Sequence, residues 1–231
     1  MRRQQKGFTL VEIAIVLVII GLLLGGVLKG QELINSAKVK NFANDFRNIP
    51  LLIYGYQDKY RALPGDQTQS ALDVQFPPAS TAAACAPGAA GHCVAGNGVI
   101  DGTWDSSAIS DESFVFWQHV RLAGLASGAT VPANSTPYRP SNADGGYIGI
   151  ESAGAHYILN NDGASFLQGT YLLCSAGILG KFAKQLDTLM DDGDTQTGSM
   201  RTVSASHARG QKAIASAQVD DAGGYTVCMG F

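Results

Sequence analysis

The 231-residue chain is 45% hydrophobic and 15% charged, which is enough for one packed domain with an appendage or for two small domains, and is not the composition of a disordered chain. Its formal charge is −3, and because Arg2, Arg3 and Lys6 supply three positive charges, everything after Lys6 carries −6. No later stretch concentrates Lys or Arg, so nucleic acid is not an expected partner.

The first element in chain order is an apolar run from Phe8 to Leu28, FTLVEIAIVLVIIGLLLGGVL, in which Glu12 is the only charged residue. At about 1.5 Å per residue it forms a helix of about 31 Å, matching a hydrocarbon core of about 30 Å. The basic residues on its N-terminal side put that end in the cytoplasm and the remainder across the membrane. A removable secretory signal has a shorter apolar region, about 7 to 15 residues, followed by a small-x-small cleavage site. Here LKGQELINSAKVK follows instead, and it continues as helix.

Beyond the apolar run, Val39, Phe42, Phe46, Ile49, Ile53, Tyr56 and Tyr60 recur at alternating spacings of three and four, with Lys38, Lys40, Asn41, Asn44, Asp45, Arg47, Gln57 and Asp58 on other faces. One helix is therefore expected from the membrane to about Arg61. Pro50 predicts a kink near Phe46 to Pro50, since it removes a backbone donor and crowds the carbonyl four residues back. Leu-Pro-Gly-Asp, Leu63 to Asp66, ends the helix.

The basic leader, the segment Lys6-Gly7-Phe8-Thr9-Leu10-Val11-Glu12, the apolar helix and its amphipathic continuation together resemble a type IV pilin precursor or a type II secretion pseudopilin. The match is close from Lys6 to Leu28 and looser to about residue 61. It implies that a prepilin peptidase cuts between Gly7 and Phe8 and methylates the new Phe8 amine. It implies further that an inner-membrane assembly platform extracts the subunits from the bilayer into a filament of this chain or of several pilins. Glu12 gains a role from the same resemblance: its carboxylate pairs with the Phe8 ammonium of a neighbouring subunit and sets axial register more than stability. Gly21/Gly25 and Gly26/Gly30 form small-xxx-small patterns that permit close helix approach, and each glycine also weakens the helix by about 1 kcal/mol against Ala.

The expected organisation is a basic leader over 1–7, a membrane and filament-core helix over 8–28, an amphipathic continuation over 29–61, and an extracytoplasmic headpiece over 62–231. Residues 76–102 read as a long irregular loop. Ser110-Asp111-Glu112 reads as a capped start for a helix over DESFVFWQHVRLAGL, whose Phe114, Trp117, Val120 and Leu125 belong to the core. Three short runs, GGYIGIES, AHYILNN and GTYLLCSAG, suggest an antiparallel meander; a helix over Ile178 to Met190 follows, and GGYTVCMGF adds a terminal strand. The fold class is α+β, with a long helix packed against an antiparallel sheet, as in pilins.

The cysteines Cys85, Cys93, Cys174 and Cys228 lack metal-type CxxC spacing. Of three connectivities, locality and strand placement favour Cys85 with Cys93 and Cys174 with Cys228; the family often has such a bridge near its C-terminus. GNGVIDG, Gly96 to Gly102, is faintly similar to a calcium loop, but Val99 stands where such a loop needs oxygen, so a turn explains it better. In LDTLMDDGDTQTG, the acids Asp187, Asp191, Asp192 and Asp194 crowd a helix C-terminus, where the dipole disfavours negative charge. Calcium is one answer; backbone amides of the following Gly-rich turn are the other, favoured one. No cofactor is otherwise expected. His92, His119, His156 and His207 show no ligand spacing, and no GxSxG elbow or phosphate-cradling loop occurs, so no enzymatic activity is expected. A membrane-tethered periplasmic enzyme or glycan-binding module is the competing class, and it has no use for a peptidase site with Glu12 placed after it. Pilus subunit and secretion pseudopilin share the signature; the pilus is the preferred reading.

Overall fold

A computed structural model describes residues 8–77, 82–85, 93–132, 138–153, 158–159 and 165–231. The leader with Gly7, much of the 76–102 loop, and His92 and His156 lie outside the described residues. Two compact units divide between Lys38 and Val39. The first is the helical segment α1 up to Lys38, and the second is Val39–Phe231.

Helix α1 runs Leu10–Tyr60 and passes through Pro50 without interruption. Within the second unit its apolar stripe is core: Val39, Phe42, Ala43, Phe46, Ile49, Pro50, Ile53 and Tyr56 are buried. The three–four spacing along one helix face produces this burial directly. Arg61 ends the helix in the left-handed region at φ 54°, its amide still donating to the Gln57 carbonyl at 2.8 Å. The Leu63–Asp66 stretch then carries the chain away.

A short helix that the sequence reading passes over, α2 (Gln69–Gln75), follows, capped by Thr68 accepting from the Ala71 amide. Helix α3 (Glu112–Leu122) starts at Asp111 as expected, yet the Asp111 side chain makes no capping bond. Phe114, Trp117 and Val120 are buried, and Leu125 packs against the same core. Phe42 of α1 meets Phe182 of helix α4 (Gly180–Met190) at a centroid distance of 6.1 Å.

The sheet departs from a simple meander. Strands β1 (Ile148–Ser152), β3 (Tyr171–Leu179), β4 (Met200–Ser204) and β6 (Gly224–Gly230) form one four-stranded antiparallel sheet in the order β1-β3-β6-β4. The middle run of the expected meander contributes only Ile158–Leu159, strand β2, to the described structure. It pairs in parallel with β5 (Gln211–Lys212) in a separate two-stranded sheet. The final strand is interior, between β3 and β4, rather than an edge.

Alternation along β3 divides its side chains between two faces. Tyr171 and Leu173 join the main core with α1, α3 and α4; Leu172 and Cys174 join a smaller cluster with Trp104, Ile158, Val203, Ala213 and Cys228. The register breaks between Ser175 and Ile178, and Gly177 there takes φ +70°, as a bulge requires.

Candidate functional site

At the N-terminal end, Phe8 and Thr9 are non-helical and the helix begins at Leu10, which makes Thr9 the N-cap and Glu12 the third helical residue. The Thr9 amide and the Thr9 hydroxyl both donate to Glu12 Oε2 at 2.8 Å, while the Glu12 amide donates to Thr9 Oγ1 at 3.3 Å. This reciprocal arrangement is a capping box, which satisfies amides left orphaned at a helix start. The signal for it in the sequence is Thr-x-x-Glu, Thr9 to Glu12, ahead of an apolar run. Both bonds go to Oε2, so Oε1 stays available.

Around this box the surface is apolar. Phe8 is 82% and Leu10 86% exposed, and the large apolar residues from Val11 onward to Leu28 are exposed as well. The segment is long and apolar enough to cross a membrane, and its most apolar window buries nothing within the chain. A Cβ added at Gly21, Gly25, Gly26 or Gly30 meets nothing within 4 Å. The four glycines therefore leave shallow places on the helix surface that nothing in this chain fills. A surface of this kind is stable only in lipid or against other apolar helices.

The headpiece holds four arrangements of buried acids. Asp66 accepts the amides of Gly96, Asn97 (3.1 Å) and Gly98 (2.7 Å), so the GNG stretch is a backbone cradle for a carboxylate. Glu112 is fully buried, accepts the Asp101 amide at 2.9 Å, and lies beside the Cys85–Cys93 bridge. Burial pushes its carboxyl up to about 7, with the charges of Asp66 and Asp101 adding to the effect. Glu151 is fully buried on β1, takes both 2.9 Å bonds from Arg209 Nη2, and accepts the Trp104 amide at 2.7 Å. Burial outweighs Arg209 and pushes this carboxyl to about 7 as well.

The fourth arrangement is the acidic cluster at the end of α4. Asp187, Asp191 and Asp192 each present an oxygen within 4.8 Å of the others. Asp194 lies apart from that trio and instead accepts from the Gln196 amide and the Ser216 hydroxyl. His119 is buried between the Gly65 amide, which donates to its Nδ1 at 2.8 Å, and the Ala83 carbonyl, 3.0 Å from Nε2. Burial holds its pKa down to about 4, which makes it a neutral structural bridge. Both cysteine pairs are bridged, Cys85 with Cys93 and Cys174 with Cys228.

Residues 2–28 match the family model of the prokaryotic N-terminal methylation motif, the signature of type IV pilins and pseudopilins. Comparison of the whole chain with curated proteins and with solved structures gives no match.

Proposed function

We propose, from a chain that carries the type IV pilin and pseudopilin signature, that this protein is a structural subunit of a type IV pilus. A prepilin peptidase removes residues 1–7, methylates Phe8, and releases a subunit anchored in the inner membrane with its headpiece outside the cytoplasm. The observation that carries the reading is the methylation motif over residues 2–28, which lies on a helix whose most apolar window buries nothing within its own chain.

The local geometry supports a cut at this place. The scissile bond precedes Phe8, and Phe8 and Thr9 stand ahead of the first helical residue, so on this side of the bond a peptidase has no helix to unwind. The capping box starts the helix immediately afterwards, which holds the new amine at a defined distance from Glu12. In the filament, Glu12 Oε1 pairs with the Phe8 ammonium of a neighbour while Oε2 keeps its own cap. Neither charge is then left alone among apolar helices. The exposed glycine positions let adjacent helices approach closely.

Co-expression with a prepilin peptidase tests the reading. Mass spectrometry should find a chain beginning at N-methylated Phe8. An intact Met1 terminus in the presence of active peptidase, or a cut after Leu28, would sink it. Electron microscopy of sheared surface filaments separates the pilus from a secretion pseudopilus, which stays within the envelope.

A further inference from the structure

The sequence contains one Asn-Gly pair, Asn97-Gly98, and it lies in the cradle that holds Asp66. Glycine after asparagine leaves the following backbone nitrogen open to the asparagine side chain, because no Cβ stands beside it. The fold keeps that opening. Gly98 takes φ +81°, and the place where a Cβ would stand is empty to 4 Å. Asn97 is exposed, so water reaches it.

Three groups converge on the pair, each on a different atom. Asp66 is buried, and its Oδ2 accepts the Gly98 amide at 2.7 Å, which sets a carboxylate on the proton of the nitrogen that follows Asn97. Its Oδ1 accepts the amides of Gly96 and Asn97, so the carboxylate is fixed in place. The Val99 amide donates to Asn97 Oδ1 at 2.7 Å, and Asn97 Nδ2 donates to Asp101 Oδ2 at 2.9 Å. A turn needs only the Val99 bond. It has no use for one carboxylate on the Gly98 amide and a second on the Asn97 side-chain nitrogen. Together they give a nitrogen nucleophile its base, a carbonyl its hydrogen-bond donor, and the side-chain amide a fixed plane.

We propose that Asn97 is a site of self-modification, converted through a cyclic imide to aspartate and isoaspartate. The Gly98 nitrogen bonds to Asn97 Cγ while Asp66 Oδ2 takes the amide proton, and the Val99 amide meets the negative charge that develops on Asn97 Oδ1. The Cγ–Nδ2 bond then breaks. Nδ2 leaves as ammonia with a proton delivered through water, and Asp66 releases the proton it took, which regenerates the carboxylate. Water next opens the ring. Attack at Cγ restores the ordinary chain with aspartate at position 97, whereas attack at the backbone carbonyl leaves the chain running through Cγ as isoaspartate. One water is consumed and one ammonia released, with no oxidant or metal. Asp101 is a positioning residue that holds the side-chain amide in its plane.

The product adds a negative charge where carboxylates already gather. Asp101 Oδ2 then faces an oxygen in place of an N–H donor, and like charges at that distance repel. Asp101 also anchors the start of α3: its carbonyl accepts the Ser113 amide at 3.0 Å, and its amide donates to Glu112 at 2.9 Å. Modification therefore loosens the junction between the Asp66 cradle and α3. The inference stands on this loop and does not depend on how the N-terminus is processed.

The test incubates the full chain in detergent at neutral pH and maps residue 97 by digestion and mass spectrometry, with an isoaspartyl methyltransferase to report isoaspartate. The same chain in guanidinium measures what the Asn-Gly pair does without the fold. Native protein should react faster by about tenfold or more, as a positioned base allows. A native rate equal to or below the denatured one overturns the proposal, since the loop then only protects Asn97. Asp66→Asn should bring the native rate down to the denatured one, and a folded Asp66→Asn variant that reacts at the wild-type rate overturns the proposal as well. If Asp66→Asn does not fold, Asp101→Ala decides: a rate lowered several-fold supports the site, and an unchanged one overturns it. Asn97→Asp, which imitates one product, should lower Tm by about 2 to 4 °C; an unchanged Tm overturns the loosening of the junction.

Discussion

Cys174 of β3 and Cys228 of β6 are direct partners in the antiparallel ladder, with Cα atoms 4.1 Å apart and their sulfurs bridged. Neither is exposed. The bridge closes a loop spanning 54 residues, which contains α4, β4 and β5, and it fastens the last strand into the interior of the sheet.

Removing that bridge should cost more than removing the other. On the chain-entropy account a 54-residue loop contributes about 4 kcal/mol and the 8-residue Cys85–Cys93 loop about 2.5 kcal/mol. Guanidinium unfolding of the full chain in detergent should therefore rank the Cys174→Ser/Cys228→Ser variant below Cys85→Ser/Cys93→Ser. The opposite ranking would show that the outer ring, beside Glu112, is the more important fastening. Thiol titration of the denatured wild type should find no reactive thiol.

At the N-terminus, the capping box separates two roles of Glu12 that the sequence presents as one. Thr9→Ala removes the cap alone and should cost about 1 kcal/mol of helix-start stability. On the proposed filament pairing, Glu12→Ala removes the cap and also strips the partner from the Phe8 ammonium, on the order of 3 to 5 kcal/mol per contact in an apolar bundle. Both variants should be cleaved and accumulate in the inner membrane. Thr9→Ala should still enter sheared filaments well; Glu12→Ala should enter poorly, with Glu12→Asp between. Equal incorporation of Glu12→Ala and wild type, in a strain lacking the native copy, would remove Glu12 from assembly.

The second compact unit begins at Val39, so the stripe of α1 is part of the headpiece core. A headpiece starting at residue 62 loses Phe42, Phe46, Ile49, Ile53 and Tyr56, all but fully buried, and each large apolar side chain taken from a core costs about 2 to 5 kcal/mol. That fragment should be insoluble or molten by near-ultraviolet circular dichroism. One starting at Val39 should fold. A cooperative unfolding transition in the 62–231 fragment would contradict the packing.

Acidity should favour the headpiece through Glu151. Its folded pKa is raised to about 7 from an ordinary value of 4.5, chiefly by burial, so between those values the folded state holds a proton that the unfolded state has released. The contribution is fully present below about pH 4.5 and is lost as pH rises through about 7, an effect on the order of 3 kcal/mol. Glu112 shifts in the same direction. Glu151→Gln, which imitates the protonated form, should match wild type near pH 4.5 and exceed it increasingly toward pH 8 in urea unfolding. A constant difference across that range would show that Arg209 compensates the buried charge fully.

Properties that depend on near neighbours along the chain are legible without any fold. Twenty-one residues after three basic ones, apolar except for Thr9 and Glu12, make a segment long enough to cross a membrane, and a glycine followed by Phe8 and Glu12 carries the methylation signature, whatever the rest folds into. The buried face of α1 was equally legible, because helix geometry turns a three–four spacing into one stripe. Tertiary structure alone decided the sheet order. Alternation along a strand says which face a side chain takes but not which strand lies beside it, so GGYTVCMGF reads as a terminal strand whether it sits at the edge or, as here, between β3 and β4. The pairing of the isolated Ile158–Leu159 with Gln211–Lys212 is likewise invisible in a linear pattern. The acids follow the same division: four aspartates near a helix end are visible in the sequence, but burial of one oxygen of Asp187, convergence of three carboxylates and exclusion of Asp194 depend on where the loop before β4 returns. The cradle of Gly96, Asn97 and Gly98 around Asp66, thirty residues earlier in the chain, is decided in the same way, by contacts between segments that no local spacing encodes.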